Sequence, residues 1–314
     1  MTSPTGKSAG TTTVTDVPAD KPVSRAYLIA GAGGMLGTAL QSVLAKRGAF
    51  FSAPGEGEFD ITDPAVVRQQ VGEFAAHLGP ATTGVLLNAA AYTNVEAAED
   101  NDELAYLVNA QGPAILARAA REAGLQFAHV STDFVFDGRK HGAHTETDDT
   151  NPLSVYGASK LAGELAVEQE YPRAIIARTA WVFGPGGVNF PVKIVAAART
   201  RPSLSVVTDE IGSPTYTPDL AEGILGLVDA DASGLFHLAG SGSCSRFELA
   251  RETLVLAGLG AVTLEPVTSD AFPMKAARPL NSVLDCSKAA ALGVRMPEWT
   301  DALARFVASG ALSG

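Results

Sequence analysis

Along the first half of the chain, short apolar runs that end in small or polar residues alternate with longer stretches whose apolar positions recur every three or four residues. Ala26-Tyr-Leu-Ile-Ala30 stops at glycines, and Met35 to Arg47 then sets Leu36, Leu40, Val43 and Leu44 on one side, which predicts strand, glycine turn and helix. Ala49-Phe-Phe-Ser52 predicts a short second strand. Asp63 before Pro64 predicts a helix with an aspartate N-cap and proline at its first position. Gly84-Val-Leu-Leu-Asn88-Ala-Ala-Ala91 reads as a buried parallel strand running into small residues. A helix over about 102–123 follows, then a strand over Gln126-Phe-Ala-His-Val-Ser-Thr132-Asp133. Next come a helix opening after Pro152 and reaching about Gln169, and a strand from Ala174 to Thr179. A repeated β-α order calls for a doubly wound parallel sheet with helices on both faces.

After Arg178 the regularity degrades. Thr179 to Phe190 is loop-like and rich in glycine; Leu204 to Val207 and Leu235 to Leu238 look like strands. Helices are expected over about 191–200, 218–228, 245–257 and 298–307. The expected organisation is a disordered tail over 1–24, an α/β domain over 25–178 to which strands and helices near 204–240 return, and a smaller C-terminal α/β lobe over 179–314.

Composition removes several function classes. A net charge of −11 over 314 residues argues against a nucleic-acid partner, which needs basic patches for phosphates. Cys244 and Cys286 are too few for a disulfide framework, so a reducing cytoplasm fits. No apolar run approaches the ~20 residues of a membrane span. Met1 to Ser24 is rich in Thr, Ser and Pro without the apolar stretch of a signal peptide.

The turn between the first strand and first helix reads Gly31-Ala-Gly33-Gly34-Met35-Leu36-Gly37. Glycines at this spacing permit a tight turn, let a pyrophosphate approach the backbone and allow helix and strand to pack closely, while the helix N-terminus faces the phosphates. In that context the fold is expected to be Rossmann-type, with a dinucleotide bound by 25–178; a substrate is expected mainly on 179–314. Glu56, Glu58 and Asp60 all lie near the distance at which an acid would meet the ribose, and no basic residue stands close, so NADH and NADPH both stay open. Asn109 must find partners among apolar neighbours; a structural hydrogen bond and a catalytic one are both open to it. His129, mid-strand in an apolar run, reads as a core histidine.

Tyr156 and Lys160 stand at i and i+4 on one helix face. A phenol titrates near ~10, and an adjacent ammonium would lower that value toward catalytic use. Thr132 and Asp133 end a strand at the sheet edge where ligands of open α/β folds sit. The pair alone is a weak motif; the glycine turn and the strand ends before it give it weight.

With these in order, the chain resembles an extended short-chain dehydrogenase/reductase, and within that superfamily the dTDP-4-dehydrorhamnose reductase family. The resemblance rests on Asn88-Ala-Ala-Ala-Tyr-Thr93-Asn-Val95-Glu-Ala-Ala-Glu99, Ser131-Thr-Asp-Phe-Val-Phe136, Pro152-Leu-Ser-Val-Tyr-Gly157, Arg178-Thr-Ala-Trp181-Val, Asp209-Glu-Ile-Gly212-Ser-Pro214-Thr215 and Arg278-Pro-Leu-Asn-Ser282, and covers about 26–308. It implies that Thr132, Tyr156 and Lys160 are catalytic. Gly34, Met35, Leu36, Asp60, Ile61 and Ala89, Ala90 and Ala91 would hold the cofactor, with Gly31, Gly37, Asn109, Tyr156 and Lys160 beside them. Thr132, Asp133, Tyr156, Trp181 and Arg278 would meet a nucleotide-linked deoxysugar, Trp181 by offering a flat apolar face. The implied chemistry is hydride transfer to C4 of a 4-keto sugar, with the proton delivered by Tyr156. Two positions depart from the family pattern. Glu96 replaces an aspartate, and Ala39 stands where some relatives carry a carboxylate for an intersubunit magnesium. We therefore expect no metal and a monomer or weak homodimer.

A 4,6-dehydratase of the superfamily carries a further acid after the Thr-Asp pair; here Phe134 follows, which cannot move a proton. An epimerase shares the remaining motifs. A non-enzymatic nucleotide-binding regulatory subunit, such as that of methionine adenosyltransferase, is disfavoured by the intact Thr132, Tyr156 and Lys160.

Overall fold

Strands β1 (Ser24–Ala30), β2 (Phe50–Ser52), β3 (Thr82–Asn88), β4 (Gln126–Thr132), β5 (Ile175–Thr179) and, much later, β10 (Gly234–His237) form one parallel sheet in the order β10-β5-β4-β3-β1-β2. This computed structural model describes residues 24–312, so the expected tail lies outside the described residues except Ser24, which opens β1 and pairs with Thr82. The chain leaves β1 toward β2, then crosses back to place β3 on the other side of β1. Diverging connections at β1 and β3 open a crevice at their carboxyl ends, the switch point where such sheets bind ligands.

Alternation along β1 serves two cores. Tyr27 and Ile29 join Leu40, Val43 and Leu44 of α1 (Met35–Lys46) with Leu220 and Ile224 of the helix at Thr217–Asp229. Ala26, Leu28 and Ala30 face the other way, toward Val67 and Phe74 of α2 (Pro64–Ala76). Asp63 caps α2, its side chain accepting from Ala65 and Val66 N–H, with Pro64 at the first turn as the sequence predicts. After the short α3 (Val95–Ala98), the expected helix over 102–123 is not uniform. It runs as α4 (Asp102–Tyr106), a π-helical turn over Leu107–Gln111, and α5 (Gly112–Glu122). Pro113 has no N–H for the carbonyl of Asn109 and its ring crowds that oxygen, so the turn widens. The Asn109 carbonyl instead lies against Gly163, where an added Cβ would come within 2.1 Å of it. Only glycine fits there on α6 (Val155–Glu170).

The second lobe is built from β6 (Val182–Phe183), α7 (Phe190–Ala198), β7 (Ser203–Val207), β8 (Ile211–Gly212), β9 (Thr215–Tyr216), β11 (Cys244–Ser245), α9 (Arg246–Leu256), β12 (Thr263–Val267) and α11 (Trp299–Ala308). Its own core joins Phe183, Leu204, Val206, Leu249, Leu254 and Phe306. The return to the main sheet begins at α8 (Thr217–Asp229), which packs on α1, and finishes with β10 beside β5 and α10 (Ser287–Ala291) against β10. It does not begin near 204 as expected. β7 pairs with β12 outside the main sheet, because Leu204 and Val206 bury into the lobe core.

Candidate active site

The glycine turn is shaped by two close approaches. Gly31 has φ +79°, and a Cβ there would fall 2.4 Å from Ala90 N, so only glycine lets the turn sit against the end of β3. A Cβ on Gly37 would meet the Gly31 carbonyl at 2.1 Å. Gly33, by contrast, is exposed, with nothing within 4 Å of an added Cβ. Gly34 is the N-cap of α1 and offers no side-chain acceptor, leaving the first-turn N–H groups of Met35, Leu36 and Gly37 available to an anion. The open approach at Gly33 and the uncapped donors suit a dinucleotide pyrophosphate. Gly37→Ala is accordingly expected to lower both the melting temperature and cofactor affinity. Gly33→Ala should spare the melting temperature, since its Cβ meets no protein atom, and weaken the cofactor alone. A thermal melt and an NADPH titration on each variant check this; equal losses of stability would refute it.

Ala89, Ala90 and Ala91 follow β3 along the same edge, half-buried, with Ala89 N–H donating to Ala30 O at 2.9 Å. Asn109 does not face this crevice. It is fully buried, accepting from Tyr92 N–H at 2.8 Å and donating to Tyr92 O and Ser159 Oγ, so it latches the loop after β3 and can support a cofactor only through that loop. Asp60 is exposed, and its Oδ1 accepts from the Thr62 hydroxyl and N–H, which hold its carboxyl below the usual range. Ile61 is buried against Gly112. Glu58 bends back to the Gly55 N–H, while Glu56 is exposed.

The end of β4 and the start of α6 bring Thr132, Tyr156 and Lys160 together. Ser154 caps α6 by accepting from Gly157 N–H, and Gly157 packs on the Phe134 carbonyl, where a Cβ would intrude to 2.3 Å. The half-buried Tyr156 ring meets Phe134 edge-on, centroids 5.4 Å apart. The expected lowering of the phenol pKa is overturned. Burial pushes it up to about 12, the Asp133 charge adds to that, and the neighbouring Thr132 hydroxyl only partly opposes them. Lys160 is turned elsewhere: its buried ammonium donates to the Val130 carbonyl at 2.6 Å. Burial pulls its own pKa down to about 8, against the pull of Glu164. His129 is buried and paired with Asn88 Nδ2 at 2.9 Å, a core histidine as read.

Asp133 is buried beside the Thr132 hydroxyl, which donates to its Oδ1 at 2.9 Å; Oδ2 has no partner among the described residues. Burial pushes its carboxyl up to about 6, opposed by Ser282, Thr132 and the charge of Arg246. Beyond it lies a cavity of about 950 Å³ in the second lobe, lined in part by Trp181, Lys193, Glu210, Arg246, Asp270 and Arg278. Thr132, Tyr156 and Lys160 do not line it; they stand at the sheet edge, and the cavity lies in the lobe. Arg278 projects there with Nη1 held by Glu96 Oε1 at 2.7 Å; the longer glutamate keeps the arginine anchored. Ala39 is buried in the core shared with α8 and offers no metal ligand.

Two features escaped the sequence reading. Behind Lys160, Glu164 accepts from Arg178 Nε at 2.9 Å and Nη2 at 2.7 Å and from the Ser131 hydroxyl, all buried. The spacing Lys160 to Glu164 on one helix face was visible; the partners on β4 and β5 were not. Arg246 stacks on the Trp181 ring, 3.4 Å from its centroid, and covers the face expected to be free for a sugar. Trp181 itself has φ 46°, unusual for a bulky residue.

Comparison with known proteins places the chain in a family. The model of the RmlD substrate binding domain matches residues 25–311. A dTDP-4-dehydrorhamnose reductase of Mycobacterium tuberculosis is 40% identical over 297 residues, 92% of this chain and 95% of the relative. A dTDP-4-keto-6-deoxy-D-glucose reductase of Streptomyces niveus is 38% identical, covering 88% of this chain and 94% of the relative. The crystal structure of dTDP-4-dehydrorhamnose reductase from Bacillus anthracis in complex with NADP superposes with a TM-score of 0.85 at 34% identity, covering 91% of this chain and 99% of that one. Carrying that family's model over nearly its whole length, with a glycine turn, a Tyr156–Lys160 helix and a second lobe in place, the chain belongs to the RmlD substrate-binding-domain family alongside the dTDP-4-dehydrorhamnose reductases.

Proposed function

We propose that the protein reduces the 4-keto group of a dTDP-4-keto-6-deoxy sugar, foremost dTDP-4-dehydro-L-rhamnose to dTDP-L-rhamnose, using NADPH or NADH. The observation that carries this is the convergence of Thr132, Tyr156 and Lys160 at the sheet edge beside the glycine turn, with Phe134 where a dehydratase needs an acid. Residues 25–178 hold the dinucleotide and the lobe mainly takes the sugar nucleotide. The reduced nicotinamide supplies the hydride. Gly31 to Gly37 and Ala89 to Ala91 form its cradle, and Lys160, with one of its three donors spent on Val130, can hold ribose hydroxyls with the others. Thr132 orients the ketone oxygen, and Tyr156 gives its proton to the alkoxide that forms there. Even at about 12, the phenol is a stronger acid than an alcohol, whose pKa lies near the ~15.7 of water, so the transfer runs downhill.

The dTDP-4-keto-6-deoxy-D-glucose reductase among the relatives favours a second substrate, a 4-ketosugar from another deoxysugar route. We further propose a monomer or weak homodimer in the cytoplasm. Free Cys244 and Cys286 suit a reducing compartment, and among the described residues no helix is long and apolar enough to cross a membrane.

Freshly prepared dTDP-4-keto-6-deoxy sugars incubated with each reduced cofactor, with the products identified by NMR, test the reading. Stoichiometric oxidation of NADPH or NADH with formation of a 4-hydroxy sugar is expected; a 4-epimer made without net cofactor consumption would replace reductase by epimerase. Both cofactors should support turnover. Asp60 is engaged by Thr62, Glu58 by Gly55, and no arginine follows β2 to demand a 2′-phosphate. A preference above about a thousandfold in kcat/KM, ~4 kcal/mol, would show a discriminating group near Ser52 to Glu58.

A further inference from the structure

The indole face of Trp181 that carries Arg246, 3.4 Å from its centroid, cannot hold a sugar as well, and Gly212 packs so close to the ring that an added Cβ would lie 2.3 Å from Cε2. The hold on Arg246 is slight for so crowded a place. Nε donates to Glu210 Oε2 at 3.3 Å, the Phe190 ring stands 5.2 Å away, and the terminal nitrogens make no hydrogen bond among the described residues. The side chain is 19% accessible and lines the cavity. Arg278 lines the same cavity, near enough that its charge disfavours that of Arg246. Its Nη1 is fixed by Glu96 and the Ala276 carbonyl. Two guanidinium groups that repel one another across a cavity, one anchored by Glu96 and one held by its stack and a single long bond to Glu210, suit an anion carrying paired phosphates. Planar forks bind phosphate oxygens in pairs, through charge-assisted bonds stronger than a cation–π contact.

We propose that Arg246 is an exchangeable cover that selects diphosphate-linked sugars: it rests on Trp181 and turns its fork onto the diphosphate of the incoming nucleotide sugar, giving the indole face to the sugar ring. This rests on the nucleotide-sugar reading above and sharpens it. A sugar lacking the diphosphate has nothing to draw Arg246 away, so it meets a covered indole.

The test uses the full chain carrying Trp299→Phe, which leaves Trp181 as its only tryptophan. Emission is followed as dTDP or thymidine is added, with and without Arg246→Gln. dTDP should change the Trp181 emission and thymidine should not. Arg246→Gln should show altered emission before any ligand, bind dTDP at least tenfold more weakly, and keep its NADPH dissociation constant. Its kcat/KM for the 4-keto sugar should fall at least tenfold, mostly through KM. Arg246→Lys, which keeps the charge but not the fork, should lie between, and it decides the matter should the glutamine variant fold poorly. Binding of dTDP by either folded variant within twofold of wild type, or an emission change with thymidine equal to that with dTDP, overturns the cover while leaving the reductase reading intact. A wild-type chain that binds no dTDP overturns both.

Discussion

Tyr156→Phe is expected to lower kcat by about 10²- to 10⁴-fold, the range a positioned proton donor contributes, while cofactor affinity stays within a few-fold. The ring should keep its place: its edge contact with Phe134 needs no hydroxyl, and α6 is held by the Ser154 cap and the Gly157 approach to Phe134. What disappears is the phenol proton proposed to reach the ketone oxygen. Thr132 cannot replace it, because an alkyl hydroxyl is a far weaker acid than a phenol. Two other acids stand nearby. The Lys160 ammonium, its pKa drawn down to about 8, is turned to the Val130 carbonyl. The other is Asp133. Burial raises its carboxyl to about 6, so it is largely ionised at neutral pH and its proton is scarce there. Activity of the Phe variant rising as the pH falls toward 6 would expose Asp133 as a substitute donor. Retention of more than about a tenth of wild-type kcat at neutral pH, a loss below ~1.4 kcal/mol, would remove Tyr156 from the role of acid.

The sequence reveals the frame of this site better than its electrostatics. The strand, glycine turn and helix at Ala26 to Lys46 are local: apolar period and glycine spacing suffice, and the structure adds only which glycines are crowded. The Tyr156–Lys160 spacing is also local, but its effect is not. A four-residue offset puts two side chains on one face; it cannot say that the ammonium will reach across to Val130 on β4, so the phenol is left to burial and to Asp133. Asn109 was ambiguous for a similar reason: its partner Tyr92 arrives from a different segment. Arg246 carried no motif at all. Its place over Trp181 follows from the antiparallel pairing of Cys244 with Gly212 and Ser245 with Ile211, which brings the start of α9 to the mouth of the Trp181 loop. Trp181 packs so near Gly212 that a Cβ there would lie 2.3 Å from the ring, so that glycine is a space requirement of the site and not a turn.

Glu164→Leu is expected to cost about 3–5 kcal/mol of folding stability, the toll of stranding one member of a buried ion pair. Arg178 and Glu164 expose only 4% and 6% of their side chains, and the arginine already has Nη1 without a partner. Removing the carboxylate leaves the guanidinium with the face of Phe136, 5.0 Å from its centroid, and no anion to answer its charge. The Ser131 hydroxyl loses its acceptor in the same step, and Ser131 directly precedes Thr132, so the damage reaches the end of β4. The double variant Glu164→Leu/Arg178→Met should regain most of the lost stability, because an apolar pair of similar volume needs no compensating charge. Activity should not follow it back: Glu164 also favours the charged form of Lys160 one helical turn away, against the burial that draws that pKa to about 8. The double variant should therefore be stable yet lose turnover at a lower pH than wild type, as Lys160 gives up its proton earlier. Denaturant unfolding of both singles and the double, with a pH–rate profile of the double, checks this. A single-variant cost below ~1 kcal/mol would show that the pair is not a keystone of the fold, and a pH profile superposing on wild type would show that Glu164 does not sustain the charge of Lys160.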